Sequence, residues 1–127
     1  EMLRSLVGSE MCIRDRFLTA PLMKWMFGKY VSDPAQRGND LMSPVRASAE
    51  RLRGLPATLI VVAENDILRD EGEAMGRRLD EAGVEVTTVR FNGVVHDWGM
   101  LNGFAALHPT RTLIRLVGSV LRDYLEK

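Results

Sequence analysis

The chain has 127 residues, 46% hydrophobic and 27% charged, with 17 basic residues balanced by 17 acidic ones. That is length for one domain with one core, and the composition excludes a disordered tail, a collagen-like repeat and a disulfide scaffold. The charge balance gives no footing for nucleic acid or an anionic membrane as partner. The lone Cys12 excludes an internal disulfide or a cysteine metal cluster, and no apolar run reaches the roughly 18 residues needed to span a bilayer. No signal-peptide pattern is visible either, because Arg4, Glu10 and Arg14 break the apolar stretches near the start. The expectation is a soluble, cytoplasmic protein without a cofactor. The chain begins with Glu1 rather than methionine, so a piece of a longer protein is expected.

Residues 1–16 carry a loose apolar pattern at Leu3, Leu6, Val7, Met11 and Ile13, compatible with a weak helix interrupted at Gly8-Ser9. Thr19-Ala20-Pro21 reads as a helix start, with Thr19 as N-cap and proline in the first turn. Leu22, Trp25, Met26, Lys29 and Tyr30 then recur at helical spacing. From Ser32 to Pro56 turn formers cluster: Asp33-Pro34, Gly38-Asn39-Asp40, Ser43-Pro44, Gly54 and Pro56. Ordered loops of that length are usually functional or wrap a neighbouring element.

The remainder is more regular. Ala57 to Ala63 is a continuous apolar, β-branched run, the pattern of a parallel strand covered on both faces. Asp70-Glu71-Gly72-Glu73 opens a helix with its acidic residues suitably placed against the dipole; Ala74, Met75, Arg78, Leu79 and Ala82 continue it, and Gly83 stops it. Val84 to Phe91 alternates and reads as a second strand, broken by Asn92-Gly93. Pro109 begins a last helix with Leu113, Leu116, Val117, Val120, Leu121 and Tyr124 on one face. Strand, helix, strand, helix makes a βαβα unit with parallel strands. Two strands alone do not make a stable parallel sheet, so either further strands lie outside this chain or the chain pairs with itself.

Ligands of open parallel sheets meet the protein just beyond the carboxyl ends of the strands. Asp66 follows the first strand in Ala63-Glu64-Asn65-Asp66, and His96 follows the second in Asn92-Gly93-Val94-Val95-His96. If the strands are neighbours, the aspartate accepts a hydrogen bond from one imidazole nitrogen and leaves the other free to take a proton from a nucleophile. Taken singly, Asp66 also suits a helix-start turn and His96 an ordinary loop histidine. Asp97 is a competing carboxylate, although adjacent side chains rarely orient one another. Asp70, Glu71 and Glu73 suit the helix's first turn, His108 a solvated helix start, and Trp98 and Met100 packing. Cys12 has no neighbouring base. Gly72-x-x-x-Gly76 is no phosphate loop. None of the serines, Ser5, Ser9, Ser32, Ser43, Ser48 and Ser119, has the glycine two residues to either side that a hydrolase elbow needs.

The run from Gly54-Leu55-Pro56-Ala57 through Ala63-Glu64-Asn65-Asp66-Ile67-Leu68-Arg69-Asp70-Glu71-Gly72-Glu73 resembles the C-terminal part of the hormone-sensitive-lipase-like group of α/β-hydrolases, the fold-3 esterases. There an apolar strand leads into D-P-L-R-D-E-G, whose aspartate is the triad acid. Asp66 matches it, with Ile67 in place of the proline. The helix end Leu79-Asp80-Glu81-Ala82-Gly83 matches L-x-x-A-G. Gly93-Val94-Val95-His96 matches G-x-x-H with the triad histidine, followed by Asp97-Trp98 where Gly-Phe is common. Phe17 to Tyr30, Asp33-Pro34, Ser43-Pro44 and Arg46-Ala47 also look like this family, so the resemblance covers about residues 17–127. Residues 1–16 fall outside it, and Gly8 to Arg16 resembles translated sequencing linker, a scar outside the fold.

The resemblance implies an α/β chain: the C-terminal βαβα part of an α/β-hydrolase sheet, preceded by a helix and a long loop. It implies a serine carboxylic-ester hydrolase in which Asp66 and His96 are catalytic. The nucleophilic serine and the HGGG oxyanion segment belong upstream and are absent from this sequence, so the chain alone is expected to be inactive. The partner implied is a small ester of short or medium acyl chain, and no metal. Trp98, or the helix from Trp25 to Tyr30, is the candidate lining of an acyl or alcohol pocket. Two alternatives stand beside this reading: a non-catalytic α/β module that dimerises or binds another chain, and an α/β-hydrolase acting on lactones, amides or carbamates.

Overall fold

The computed structural model describes residues 18–126. The weak helix expected within 1–16, the linker-like run and Cys12 lie outside the described residues. Helix α1, Ala20–Tyr30, begins where the sequence places it: the Thr19 side chain accepts from the Leu22 amide at 3.3 Å, and proline occupies the first turn, where its missing N–H costs nothing. Nothing among the described residues covers the predicted apolar face. Leu22, Trp25, Met26 and Tyr30 are all exposed, and burial is confined to the flanking Leu18 and Val31. The Lys29 ammonium lies 5.8 Å from the centre of the Trp25 ring.

The stretch expected to be irregular is a series of short capped turns. Two 3-10 turns, Pro34–Gly38 and Pro44–Arg46, precede a one-turn helix α2, Ala49–Leu52. Asp33 and Ser48 supply the side-chain acceptors that start the first turn and α2, satisfying backbone donors that such short elements leave open. This segment wraps a neighbour, as its length suggested. Ala47 and Leu52 are buried with Leu79, Ala82 and Val84, and the Arg78 guanidinium donates to the carbonyl of Ala47.

Strand β1, Thr58–Asn65, pairs in parallel with β2, Val86–Val95, through the crossover helix α3, Arg69–Glu81. Side chains alternate across this small sheet, as strand geometry requires. Ile60 and Val86 join the cluster formed by α3 and the wrapping segment. Val61 and Ala63 face a second cluster with Phe91, Val94, Trp98, Phe104 and Leu113, the last from helix α4, His108–Leu125. Pro109 lies in the first turn of α4. The predicted inner face of α4 is graded: Leu113, Leu116, Val117 and Val120 are partly covered, whereas Leu121 and Tyr124 are exposed.

The sequence expectation for β2 needs one correction. Asn92-Gly93 does not break the strand, which runs on to Val95. Pairing is regular from Thr58↔Val86 to Ala63↔Phe91 and resumes at Asn65↔Val95. Between those pairs a single β1 residue faces three on β2, so the Asn-Gly step is a bulge. Gly93 takes φ +73° there, a backbone conformation that glycine adopts without a side-chain penalty.

The Gly72-x-x-x-Gly76 spacing also acquires a role, because both glycines let α3 approach the sheet closely. A Cβ on Gly72 would lie 2.7 Å from Val62 Cγ1, and one on Gly76 would collide with Thr88. Val62 is buried and cannot yield, so Gly72→Val should destabilise the fold by about 1–3 kcal/mol. Gly118, inside α4, has open space around its would-be Cβ, and Gly118→Ala should stabilise by about 0.5–1 kcal/mol. Thermal unfolding of the two variants against the parent chain should therefore give midpoint shifts of opposite sign.

Candidate active site

Asp66 is the first residue beyond β1 and His96 the first beyond β2. The terminal pair Asn65↔Val95 puts the two side by side. The bulge is what achieves this. Had the pairing continued without it, Asp66 would sit opposite Val94, and His96 would lie about 6–7 Å further along the strand direction.

The two side chains meet at hydrogen-bond distance, His96 Nδ1 to Asp66 Oδ2, 2.8 Å. A carboxylate only accepts, so Nδ1 carries the proton and donates to Asp66. In the neutral ring Nε2 is then left as the acceptor. Burial holds the pair without sealing it: the side chains are 12% exposed for Asp66 and 24% for His96.

Asp66 performs two tasks at once. Its Oδ1 accepts from the Leu68 amide at 2.9 Å, and its carbonyl accepts from the Arg69 amide at 3.2 Å. That makes it the turn residue that starts α3, whose own N-cap position, Leu68, has no side-chain acceptor. The aspartate thus serves the turn with one carboxylate oxygen and meets the imidazole with the other.

Asp97 turns out to lie near the imidazole as well, its Oδ1 3.4 Å from His96 Nε2. That is too long for a charge-assisted hydrogen bond, and Asp66 remains the partner that orients the ring. Asp97 has φ +58°, which turns the chain sharply after His96 and sends Trp98 into the core. Trp98, the candidate pocket lining, is 6% exposed and packs against Phe91 with ring centres 5.4 Å apart. This is the position of a packing residue. The Trp25–Tyr30 face of α1, the other candidate lining, is exposed.

Arg69 braces the loop between β1 and α3. Its Nη1 donates to the carbonyl of Glu64 at 2.7 Å and its Nε to Asp70 Oδ1 at 2.8 Å. The hydrogen bond to Asp70 holds the guanidinium above its ordinary value, against the opposing pull of burial, with help from the Asp70, Glu73 and Glu64 charges. Glu64 accepts the Gly93 amide on Oε2 at 2.6 Å. Sequence reasoning missed this contact between Glu64 and Gly93; the available signal was an acidic residue at the carboxyl end of an otherwise apolar strand.

The other candidates have local tasks. Asp70 and Glu71 lie in the first turn of α3, Glu73 pairs with Arg90 at 2.6 Å, and His108 opens α4. Ser43 donates to the Arg37 carbonyl and Ser48 caps α2. Among the described residues no three His, Cys, Asp or Glu side chains converge to hold a metal ion, and no helix is long and apolar enough to cross a membrane. The site thus presents an oriented imidazole whose Nε2 makes no hydrogen bond among the described residues, with Asp97 Oδ1 3.4 Å away, an arrangement suited to taking up and returning a proton.

A model of the alpha/beta hydrolase fold matches residues 4–100. The chain is 37% identical over 94 residues to an arylesterase of Saccharolobus solfataricus, covering 74% of this chain and 28% of that one. It superposes on a thermostable esterase from Pseudomonas putida with a TM-score of 0.83 at 44% identity, covering 88% of this chain and 35% of that one. Brefeldin A esterase, a bacterial homologue of human hormone sensitive lipase, superposes with a TM-score of 0.84 at 28% identity, covering 96% and 34%. The chain therefore spans about a third or less of the length of each.

The contrast between the two tryptophans is testable. In a Trp25→Phe variant the remaining Trp98 emission should be blue-shifted and resistant to acrylamide, whereas Trp25 alone, in a Trp98→Phe variant, should be readily quenched. Trp98→Ala should destabilise the fold by about 3–5 kcal/mol, read from urea unfolding.

Proposed function

The chain belongs to the α/β-hydrolase fold family, and from that premise we propose that it carries the acid–base half of a serine carboxylic-ester hydrolase. The observation behind this reading is the 2.8 Å contact between His96 Nδ1 and Asp66 Oδ2 at adjoining strand ends. In the proposed reaction His96 Nε2 takes the proton of a serine hydroxyl as that oxygen attacks the ester carbonyl. It then returns the proton to the departing alcohol, and water repeats the sequence to release the acid. Asp66 keeps the proton on Nδ1 and stabilises the imidazolium formed in between.

The serine and the donors that would stabilise the tetrahedral oxyanion are assigned to sequence upstream of these 127 residues, since none of the six serines stands in a G-x-S-x-G context. Relatives named arylesterase, ethyl acetate hydrolase and esterase support a carboxylic ester as the class of substrate.

The 127-residue chain, given a chromogenic butyryl ester, should show no turnover that depends on His96; activity abolished by His96→Ala would refute the division of labour. In a protein that also contains the upstream coding sequence, an in-frame G-x-S-x-G is expected. There Asp66→Asn should lower kcat by about 10⁴-fold and His96→Ala by about 10⁶-fold. Full activity in either variant would remove these residues from the mechanism.

A second reading is favoured by the uncovered face of α1, where Leu22, Trp25, Met26 and Tyr30 are exposed together. Contiguous apolar surface of this kind promotes association, and we propose that the isolated chain self-associates through it. Sedimentation velocity should show mass rising with concentration, and Trp25→Glu should reduce it; a monomer throughout counts against this reading.

A further inference from the structure

Glu64 is the single β1 residue facing the three-residue bulge of β2, and it is tied to both strand ends. Its backbone carbonyl accepts from Arg69 Nη1 at 2.7 Å, on the Asp66 side. Its carboxylate accepts from the Gly93 amide at 2.6 Å, on the His96 side. In an unbroken parallel ladder an amide such as that of Gly93 would donate to a backbone carbonyl of the neighbouring strand. At the bulge a side-chain carboxylate takes that place, with the short distance of a charge-assisted bond.

We propose that Glu64 is a positioning residue for His96: by accepting the Gly93 N–H it fixes the bulge that advances β2 by two residues and brings His96 opposite Asp66. The inference rests on the reading of His96 and Asp66 as an acid–base pair and adds a residue to it. Three features carry it. The register resumes at Asn65↔Val95, immediately after the bulge. Gly93 holds a positive φ of 73°, so its amide leaves the regular ladder direction and needs a partner of its own. The bond is solvent-exposed, so it contributes little to global stability, and its consequence falls on where the next three residues place the imidazole.

The test is NMR of the ¹⁵N-labelled 127-residue chain, following the His96 Nδ1–H and Gly93 amide resonances, with thermal unfolding as the control for folding. Glu64→Ala and Glu64→Asp, the latter one methylene too short to reach, should lose the His96 Nδ1–H signal and shift the Gly93 amide upfield, with unfolding midpoints close to that of the parent. Glu64→Gln, which keeps an acceptor oxygen, should restore the His96 signal. A folded Glu64→Ala or Glu64→Asp chain that retains both signals overturns the proposal. If both variants unfold, amide exchange in the parent decides: protection of Gly93 supports the proposal, and exchange at the rate of an unbonded peptide overturns it. Asp66→Asn separates this inference from the reading beneath it, and should abolish the His96 signal while leaving the Gly93 amide in place. Should the His96 signal survive that substitution, the Asp66–His96 pairing fails while the Glu64–Gly93 result stands independently.

Discussion

An offset of two residues in one parallel ladder underlies the whole site. Strand geometry is unforgiving along its axis, each residue advancing the chain by about 3.3 Å, and a hydrogen bond tolerates only a few tenths of an ångström. Asp66 and His96 belong to loops, yet each is one step from a paired strand residue, so the sheet carries the positional accuracy and the loops add little slack. The bulge at Asn92–Val94 corrects the register, and a glycine at positive φ makes the correction possible. The His96–Asp66 bond itself, a contact to a charged group, contributes about 1.5–3 kcal/mol at most. Its main effect is to select which imidazole nitrogen holds the proton.

Two apolar clusters, one on each face of the sheet, keep this edge rigid. On one side α3 presses against the strands through Gly72 and Gly76, with Leu79, Ala82 and Val84 buried beneath the wrapping turns of residues 47–52. On the other, Ala63, Val94 and Trp98 are buried together with Phe91, Phe104 and Leu113 around them. Trp98 follows His96 by two positions, and the reversal at Asp97 directs it inward. A bulky side chain locked immediately after the imidazole is a means of holding a loop that has no ladder hydrogen bonds of its own.

The elements were legible because their signals are local. The apolar run of β1, the Thr19 cap, the Gly83 stop and the alternation of β2 each depend on a few consecutive residues. The pairing of Asp66 with His96 was legible because parallel topology places both strand ends on one edge. What escaped depends on residues distant in sequence. Asn92-Gly93 has the composition of a chain break, and only the Glu64 carboxylate, 29 positions away from Gly93, turns it into a bulge within a continuing strand. The periodicity of α1 announces a face to be covered and says nothing of what covers it. By its position Asp66 suits both a turn and a partner of His96; a carboxylate has two oxygens, and the fold uses one for each purpose.

That double use has a mechanistic consequence. The Leu68 amide and the imidazole draw on opposite oxygens of the same group, so Asp66 cannot rotate toward His96 without abandoning the turn that begins α3. Arg69, the first residue of that helix, is bonded back to the carbonyl of Glu64, and Glu64 to the amide of Gly93. The start of the crossover helix, the end of β1 and the bulge of β2 therefore form one connected frame around the imidazole. If His96 is the general base proposed above, a side chain held from several directions pays its ordering entropy on folding rather than at the moment of proton transfer.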